Sequence, residues 1–267
     1  MCSWFYALSI LCAAFTPTFT AATPAMIVPD SSTPLHLVWT NPKMERDPWI
    51  MGKYKESEEK VRARGVAQEW VETLSQSKTR YRLFFWTVNE IRREFPGLVP
   101  FLSQVSVASW VHDVLRYHIM LRYGGVFLDT DVRAVHDFTE LMGKFNSSFT
   151  VCQKPWSAPA PDAGIRETSS CESVITAIIA APPNHPALKC AALKSLEYTT
   201  YEVLIKSKEN GGPVFDADKT GSILWSECVR KHGLISVLPS WTFLACDSDS
   251  CDRTNYLQYT NVYGVKY

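Results

Sequence analysis

Two carboxylates one residue apart, Asp129 and Asp131, follow the apolar triplet Val126-Phe127-Leu128. Residues i and i+2 of an extended strand point to one side, so this spacing predicts that both acids converge where a buried strand ends. Like charges brought together repel and lose hydration, which creates a need for a positive partner. A hard divalent cation with oxygen ligands meets that need, and its open positions can take phosphate oxygens. There it offsets the charge that builds on a departing diphosphate. Upstream, Asp113 and Arg116 stand three residues apart, which on a helix puts them one turn apart on a shared face.

The elements that must position these four residues are legible in the pattern. Val105 to Tyr123 carries Val107, Val111, Val114, Leu115, Ile119 and Leu121 at helical spacing. Gly124-Gly125 stops that helix, with Gly124 suited to a left-handed end, and Val126-Phe127-Leu128 reads as a strand. Pro34 to Trp39 and Tyr81 to Trp86 read as further buried strands. Glu56 to Leu74 reads as an amphipathic surface helix, and Asn89 to Phe95 as a short helix. Further on, the β-branched run Val174 to Ala180 reads as a strand. Helices are expected at Pro186 to Lys206 and Ser222 to Lys231, and closing strands at Leu234 to Leu238 and Tyr256 to Val265. Lys154 to Asp162, rich in Pro, is expected to be a loop. The alternation predicts an α/β fold with a mostly parallel sheet and helices on both faces.

The run from His112-Asp113-Val114-Leu115-Arg116-Tyr117 to Tyr123-Gly124-Gly125-Val126-Phe127-Leu128-Asp129-Thr130-Asp131 resembles glycosyltransferases with the DXD-containing sugar-binding region. That group includes the fungal initiating α-1,6-mannosyltransferase, inositol-phosphoceramide mannosyltransferases and α-1,4-glycosyltransferases. The resemblance implies a nucleotide-diphospho-sugar transferase-like fold, Rossmann-like and of GT-A type. It also implies Mn²⁺ or Mg²⁺ and transfer of a hexose from a UDP- or GDP-sugar to a glycan or glycolipid hydroxyl with retention of configuration. By the same resemblance, Asp113 and Arg116 hold the donor sugar and the departing phosphate region. Asp129 contacts hydroxyls of the donor and the metal shell, while Asp131 ligates the metal. Trp39 packs on the base and Asn89 touches the nucleoside. The chain departs from the family pattern in three places. Thr176 replaces an Asn ahead of Pro183-Asn184-His185-Pro186, Thr220-Gly221-Ser222 replaces Thr-Gly-Pro, and Tyr263 to Tyr267 contains no His. The last departure leaves a catalytically impaired relative as an alternative.

No charged residue precedes Asp30, and the apolar run Trp4 to Phe15 has the length of a signal-peptide core. Residues 1–22 are therefore expected to be a signal peptide or a membrane signal anchor, and 30–267 the catalytic domain. Either way the domain is expected in the lumen of the ER or Golgi, or secreted. Of the eight cysteines, six lie beyond residue 30: Cys152, Cys171, Cys190, Cys228, Cys246 and Cys251. An oxidising lumen permits three bridges among them. Cys246 and Cys251 are close enough in sequence to close a loop around the acidic cluster Asp247, Asp249 and Asp252, whose carboxylates are expected to be solvated. Asn146-Ser147-Ser148 is a glycosylation acceptor triplet.

Composition excludes other classes. With 27 Lys+Arg against 27 Asp+Glu, there is no basic footprint for nucleic acid. A glycoside hydrolase needs carboxylates on opposite sides of the scissile bond, which a pair separated by one residue does not offer. The rival to a transferase is a secreted calcium-binding module, because Asp216 to Glu227 fits the EF-hand loop pattern. Gly211-Gly212-Pro213 stands where the entering helix of such a hand should be, which weighs against it.

Overall fold

The computed structural model describes residues 32–38, 58–75, 77, 80–105, 107–153, 171–202, 216, 219–245 and 263–266, all within the unit Ser32–Tyr267. Residues 1–31, expected to include a targeting segment, together with Trp39, residues 154–162 (expected to be a loop), Cys246, Cys251 and the cluster Asp247, Asp249 and Asp252, lie outside the described residues.

The first strand, β1 (Thr33–Val38), pairs in parallel with β2 (Tyr81–Trp86) on one side and with β3 (Gly125–Leu128) on the other. Beyond β3 the sheet continues through β6 (Val174–Ala181), β5 (Phe149–Cys152) and β7 (Ser236–Leu238). β6 runs antiparallel to both its neighbours, while β7 is parallel to β5. Five strands therefore share one direction and β6 alone is reversed. The mostly parallel arrangement is present, with one reversed strand that the apolar pattern could not reveal, because residue alternation carries no information about strand direction. A second sheet is built from β4 (Val132–Ala134), β9 (Gly264–Lys266) and β8 (Phe243–Ala245), in the order β4-β9-β8.

Alternation along the strands divides the core into two layers. Leu35, Leu37, Val126 and Leu128 face α1 (Glu58–Leu74), α5 (Thr139–Lys144) and the second sheet. His36, Val38, Phe127 and Ile179 face the other layer. That layer holds α2 (Val88–Glu94), α3 (Val99–Leu102), α4 (Ala108–Tyr123), α6 (Pro186–Tyr201) and α7 (Ser222–His232). Helices on both faces follow from this two-sided burial. The strand read at Val174 to Ala180 forms, while α3, α5, β4, β5 and β8 are too short to give a periodic signal of their own. Disulfides join Cys152 to Cys171 and Cys190 to Cys228. The first closes the β5–β6 connection, and the second staples α6 to α7.

The turn from α4 into β3 is the tightest point of this frame. Gly124 and Gly125 both have positive φ, 61° and 92°, a region that costs a side chain strain. A Cβ on Gly124 would stand 2.5 Å from Pro183, and one on Gly125 would stand 2.2 Å from the Pro34 carbonyl oxygen. The carbonyls at the helix end are paired. Met120 accepts from the Gly124 amide at 2.9 Å, and Leu121 accepts from the Asn184 amide at 2.8 Å. His36 Nε2 donates to the Gly124 carbonyl at 2.9 Å, while its Nδ1 accepts from Trp86 Nε1 at 3.1 Å. The two contacts together require the neutral imidazole with its proton on Nε2. Burial lowers the His36 pKa to about 4 against the opposing pull of the Gly124 carbonyl. His118 on α4 is likewise lowered to about 4 by burial, against a hydrogen bond to the Ala192 backbone.

Two outcomes follow from this frame. Gly125→Ala is expected to lower urea-measured stability by about 2–4 kcal/mol, because strain and a backbone clash coincide there. Both buried histidines bind protons in the unfolded chain before they do so in the folded one. Their stabilising share is thus complete above about pH 6.5 and is lost as pH falls toward 4. Urea titrations between pH 7 and 4.5 are expected to lose about 1 kcal/mol per pH unit for each histidine. His36→Phe should flatten that slope even though it removes the Gly124 contact.

Candidate functional site

Because α4 ends at a fixed point, the residues one to three turns earlier are held rigidly over β3. Arg116 is 3% exposed. Its Nη2 lies 3.3 Å from Asp113 Oδ1 on the same helix and 3.0 Å from Asp129 Oδ1 at the end of β3. The guanidinium lies over the Phe127 ring, 4.9 Å from its centroid, where the ring face attracts a cation. Burial opposes the charge, but Asp129, then Asp113, then Tyr117 and Asp131 outweigh it, and the Arg116 pKa is raised. Both acids of the Asp-x-Asp pair thus act on one guanidinium. Nε and Nη1 of Arg116 are buried and donate to no partner among the described residues.

The geometry of the acid pair differs from the extended arrangement its spacing predicts. The Asp129 amide makes the last ladder bond of β3, to the Ala177 carbonyl at 2.9 Å. The chain then turns, and the Val132 amide donates back to the Asp129 carbonyl at 3.0 Å. Asp131 therefore sits inside a four-residue turn, and both acids are half-exposed. A turn can bring i and i+2 carboxylates to one side as an extended strand would, and it leaves them open to a ligand. The turn is pinned just beyond: Trp70 Nε1 on α1 donates to the Val132 carbonyl at 2.7 Å, and Arg133 Nε reaches the two Glu69 oxygens at 3.0 and 2.9 Å.

One partner of this site was visible in the sequence only as a departure from a family turn. Thr220, in the turn ahead of α7, donates from Oγ1 to Asp113 Oδ2 at 3.2 Å. The Tyr117 hydroxyl donates to the Thr220 carbonyl at 2.8 Å. Burial, and next the Asp113 charge, raise the Tyr117 pKa well above its ordinary value, so the phenol remains a donor. Asn89 stands exposed in the first turn of α2. Its neighbour Thr87 has a structural task, donating its amide to Glu90 at 3.0 Å as one arm of a capping box.

The calcium-loop pattern does not fold as one. α7 begins at Ser222, inside the would-be loop. Thr220 is committed to Asp113, and Glu227, the twelfth position, pairs with Lys194 of α6 at 3.0 Å. Asp218 lies outside the described residues.

Residues 66–148, which hold α4, β3 and the acid pair, match the family described as the glycosyltransferase sugar-binding region containing DXD motif. That match covers less than a third of the chain and includes the whole of the Asp113–Asp131 cluster. Among solved structures the chain is similar to the PaToxG glycosyltransferase, at 13% identity over 75% of this chain and 69% of that one, with a TM-score of 0.36. A glycosyltransferase involved in glycosylation of the major capsid of PBCV-1 aligns at 12% identity over 88% and 93% of the two chains, with a TM-score of 0.45. Mouse xyloside xylosyltransferase 1, in its apo form, aligns at 10% identity over 88% and 97%, with a TM-score of 0.42. No curated protein matches the sequence.

Within the matched segment, Arg116 is a buried structural cation. Removing it strands the buried Asp113 carboxylate and unpairs the half-exposed Asp129, and breaking a buried pair costs about 3–5 kcal/mol. Arg116→Ala is accordingly expected to lose that much stability in urea melts, and Arg116→Lys, which keeps the charge, distinctly less.

Proposed function

We propose that the protein is a metal-dependent retaining glycosyltransferase, moving a hexose from a UDP- or GDP-sugar to a glycan or glycolipid hydroxyl in the secretory lumen. The observation that carries this reading is the buried Arg116, bound between Asp113 and Asp129 with two further N–H groups still seeking an acceptor. A diphosphate supplies such acceptors in the planar, bidentate form a guanidinium prefers.

The donor set fits a hard divalent ion. Three carboxylates (Asp113, Asp129 and Asp131) against one guanidinium leave two net negative charges, the amount a divalent ion cancels. No group of three or more His, Cys, Asp or Glu suited to a metal stands among the described residues. Asp129 and Asp131 would therefore hold Mn²⁺ or Mg²⁺ together with phosphate oxygens and water, the habit of such ions in phosphate chemistry. When bound, the ion supplies Lewis-acid stabilisation of the departing diphosphate.

The chain's own residues account for the remaining work. Arg116 directs Nε and Nη1 at the leaving phosphate region, and its charge is kept in place by Asp113, Asp129 and the face of Phe127. The half-exposed Asp129 and Asp131 face the donor from the turn after β3. No side chain in the cluster is arranged as a nucleophile beside a base, so the acceleration comes from positioning and from charge stabilisation at the leaving group. The acceptor hydroxyl then attacks on the side the diphosphate leaves.

Two disulfides and an exposed Asn146 in a sequon support the luminal setting, where oxidation and glycosylation both occur. Asp131→Asn is expected to abolish Mn²⁺-dependent donor turnover and the thermal shift given by a nucleotide sugar with Mn²⁺, while the melting point without ligand stays nearly unchanged. A panel of UDP- and GDP-hexoses with and without Mn²⁺ reads this directly. A large shift from Ca²⁺ alone would favour the calcium module instead.

A further inference from the structure

The turn that precedes α7 lies more than eighty residues along the chain from the Asp-x-Asp pair, yet it reaches the centre of the cluster. Thr220 is fully buried, and so is Tyr117, the residue after Arg116. The Tyr117 hydroxyl lies 2.8 Å from the Thr220 carbonyl and 3.3 Å from that of Gly221, so one phenol holds two successive carbonyls of the turn. Its ring packs against Trp225 of α7, with centroids 5.8 Å apart. Held in this way, the turn points Thr220 Oγ1 at Asp113 Oδ2. The other oxygen of the same carboxylate, Oδ1, pairs with Arg116.

A carboxylate anchored at one oxygen can still rotate about its terminal torsion, which is broad and roughly two-fold. Anchored at both oxygens, it is fixed. The direction of Arg116 then follows, because its Nη2 is shared between Asp113 and Asp129 while its plane lies over Phe127. All the atoms of this relay are buried, so bulk water cannot stand in for a lost hydroxyl at equal strength.

We propose that Thr220, set in place by the Tyr117 hydroxyl, is a positioning residue of the transferase: it fixes the Asp113 carboxylate and thereby the direction in which Arg116 offers its remaining N–H groups to the donor. The inference rests on the glycosyltransferase reading above and adds a second region of the chain, residues 220–222, to the machinery of residues 113–131. The Thr-Gly pair is retained in this chain where the family's Thr-Gly-Pro loses its proline. The part of that turn that does the positioning is accordingly the threonine hydroxyl, and the proline ring is dispensable for it.

The test uses the full chain with Mn²⁺ and the nucleotide sugar that the wild type turns over fastest in the donor panel. Thr220→Val keeps the shape and removes the donor, Thr220→Ser keeps the donor, and Tyr117→Phe releases the turn. Thr220→Val is expected to lower kcat about 10- to 100-fold, the scale of a small misplacement at a reacting centre. Donor KM should stay within about threefold, since the charges that bind the diphosphate remain. Thr220→Ser should recover most of kcat. The Thr220→Val/Tyr117→Phe double variant should be no slower than Thr220→Val alone, because both act through one contact. A wild-type enzyme that turns over donor, with Thr220→Val equally fast, overturns this inference and leaves the transferase reading standing. A kcat loss that Thr220→Ser does not restore, or that tracks the fall in melting temperature, assigns Thr220 to folding alone and also overturns it. Absence of turnover by the wild type with every donor removes the transferase reading and this inference with it.

Discussion

A single buried cation organises this molecule. Arg116 sits among three carboxylates and one aromatic face at 3% exposure, and a charge so placed persists only because opposite charge compensates its burial. The pairing partners come from separate parts of the fold: Asp113 from the same helix, Asp129 and Asp131 from the turn after β3, and Phe127 from β3 itself. The network can form only after α4 has packed on the sheet, so the charge cluster and the apolar layer beneath it depend on each other. Either one alone would be unstable, the cluster for lack of desolvated support and the layer for want of a reason to exclude water at that edge.

The same dependence is concentrated in the segment that matches the family model. The matched segment, residues 66–148, contains the second half of α1 and all of β2, α4, β3 and the acid turn. Those elements are the ones that place the cluster and the struts around it, including Trp70 on α1 and Arg133 within β4. What lies outside the match chiefly completes the sheet and the second helical layer, where apolar residues of similar volume can replace one another at modest cost. Thr220 is the exception, a residue from the outer part of the chain that touches the cluster directly.

Much of the fold was legible because its long elements carry strong periodic signals. The helices α1, α4, α6 and α7 and the strands β1, β2, β3 and β6 stand where the apolar spacing puts them, with ends shifted by a few residues. The i, i+3 pair Asp113 and Arg116 was readable for the same reason, since helix geometry links spacing to proximity. The Asp129–Asp131 pair was readable in kind but not in shape. Strand geometry predicted an extended end, and the Val132 amide instead closes a turn. The reversal of β6 and the approach of Thr220 to Asp113 were not readable, because both are set by tertiary packing between segments distant in sequence. Asn89, which the resemblance places against the nucleoside, stands exposed in the first turn of α2.

The double glycine at the end of α4 has a geometric corollary. With Gly124 pressed on Pro183 and Gly125 on the Pro34 carbonyl, the corner has no slack to slide or rewind. The number of residues between it and Arg116 is then a fixed count of helical steps. Each residue added or deleted there would swing the guanidinium by about 100° around the helix axis and shift it by about 1.5 Å, carrying it off the Phe127 face. Drift in this stretch can change side chains but not length, and the corner works as a ruler whose zero mark is the sheet itself.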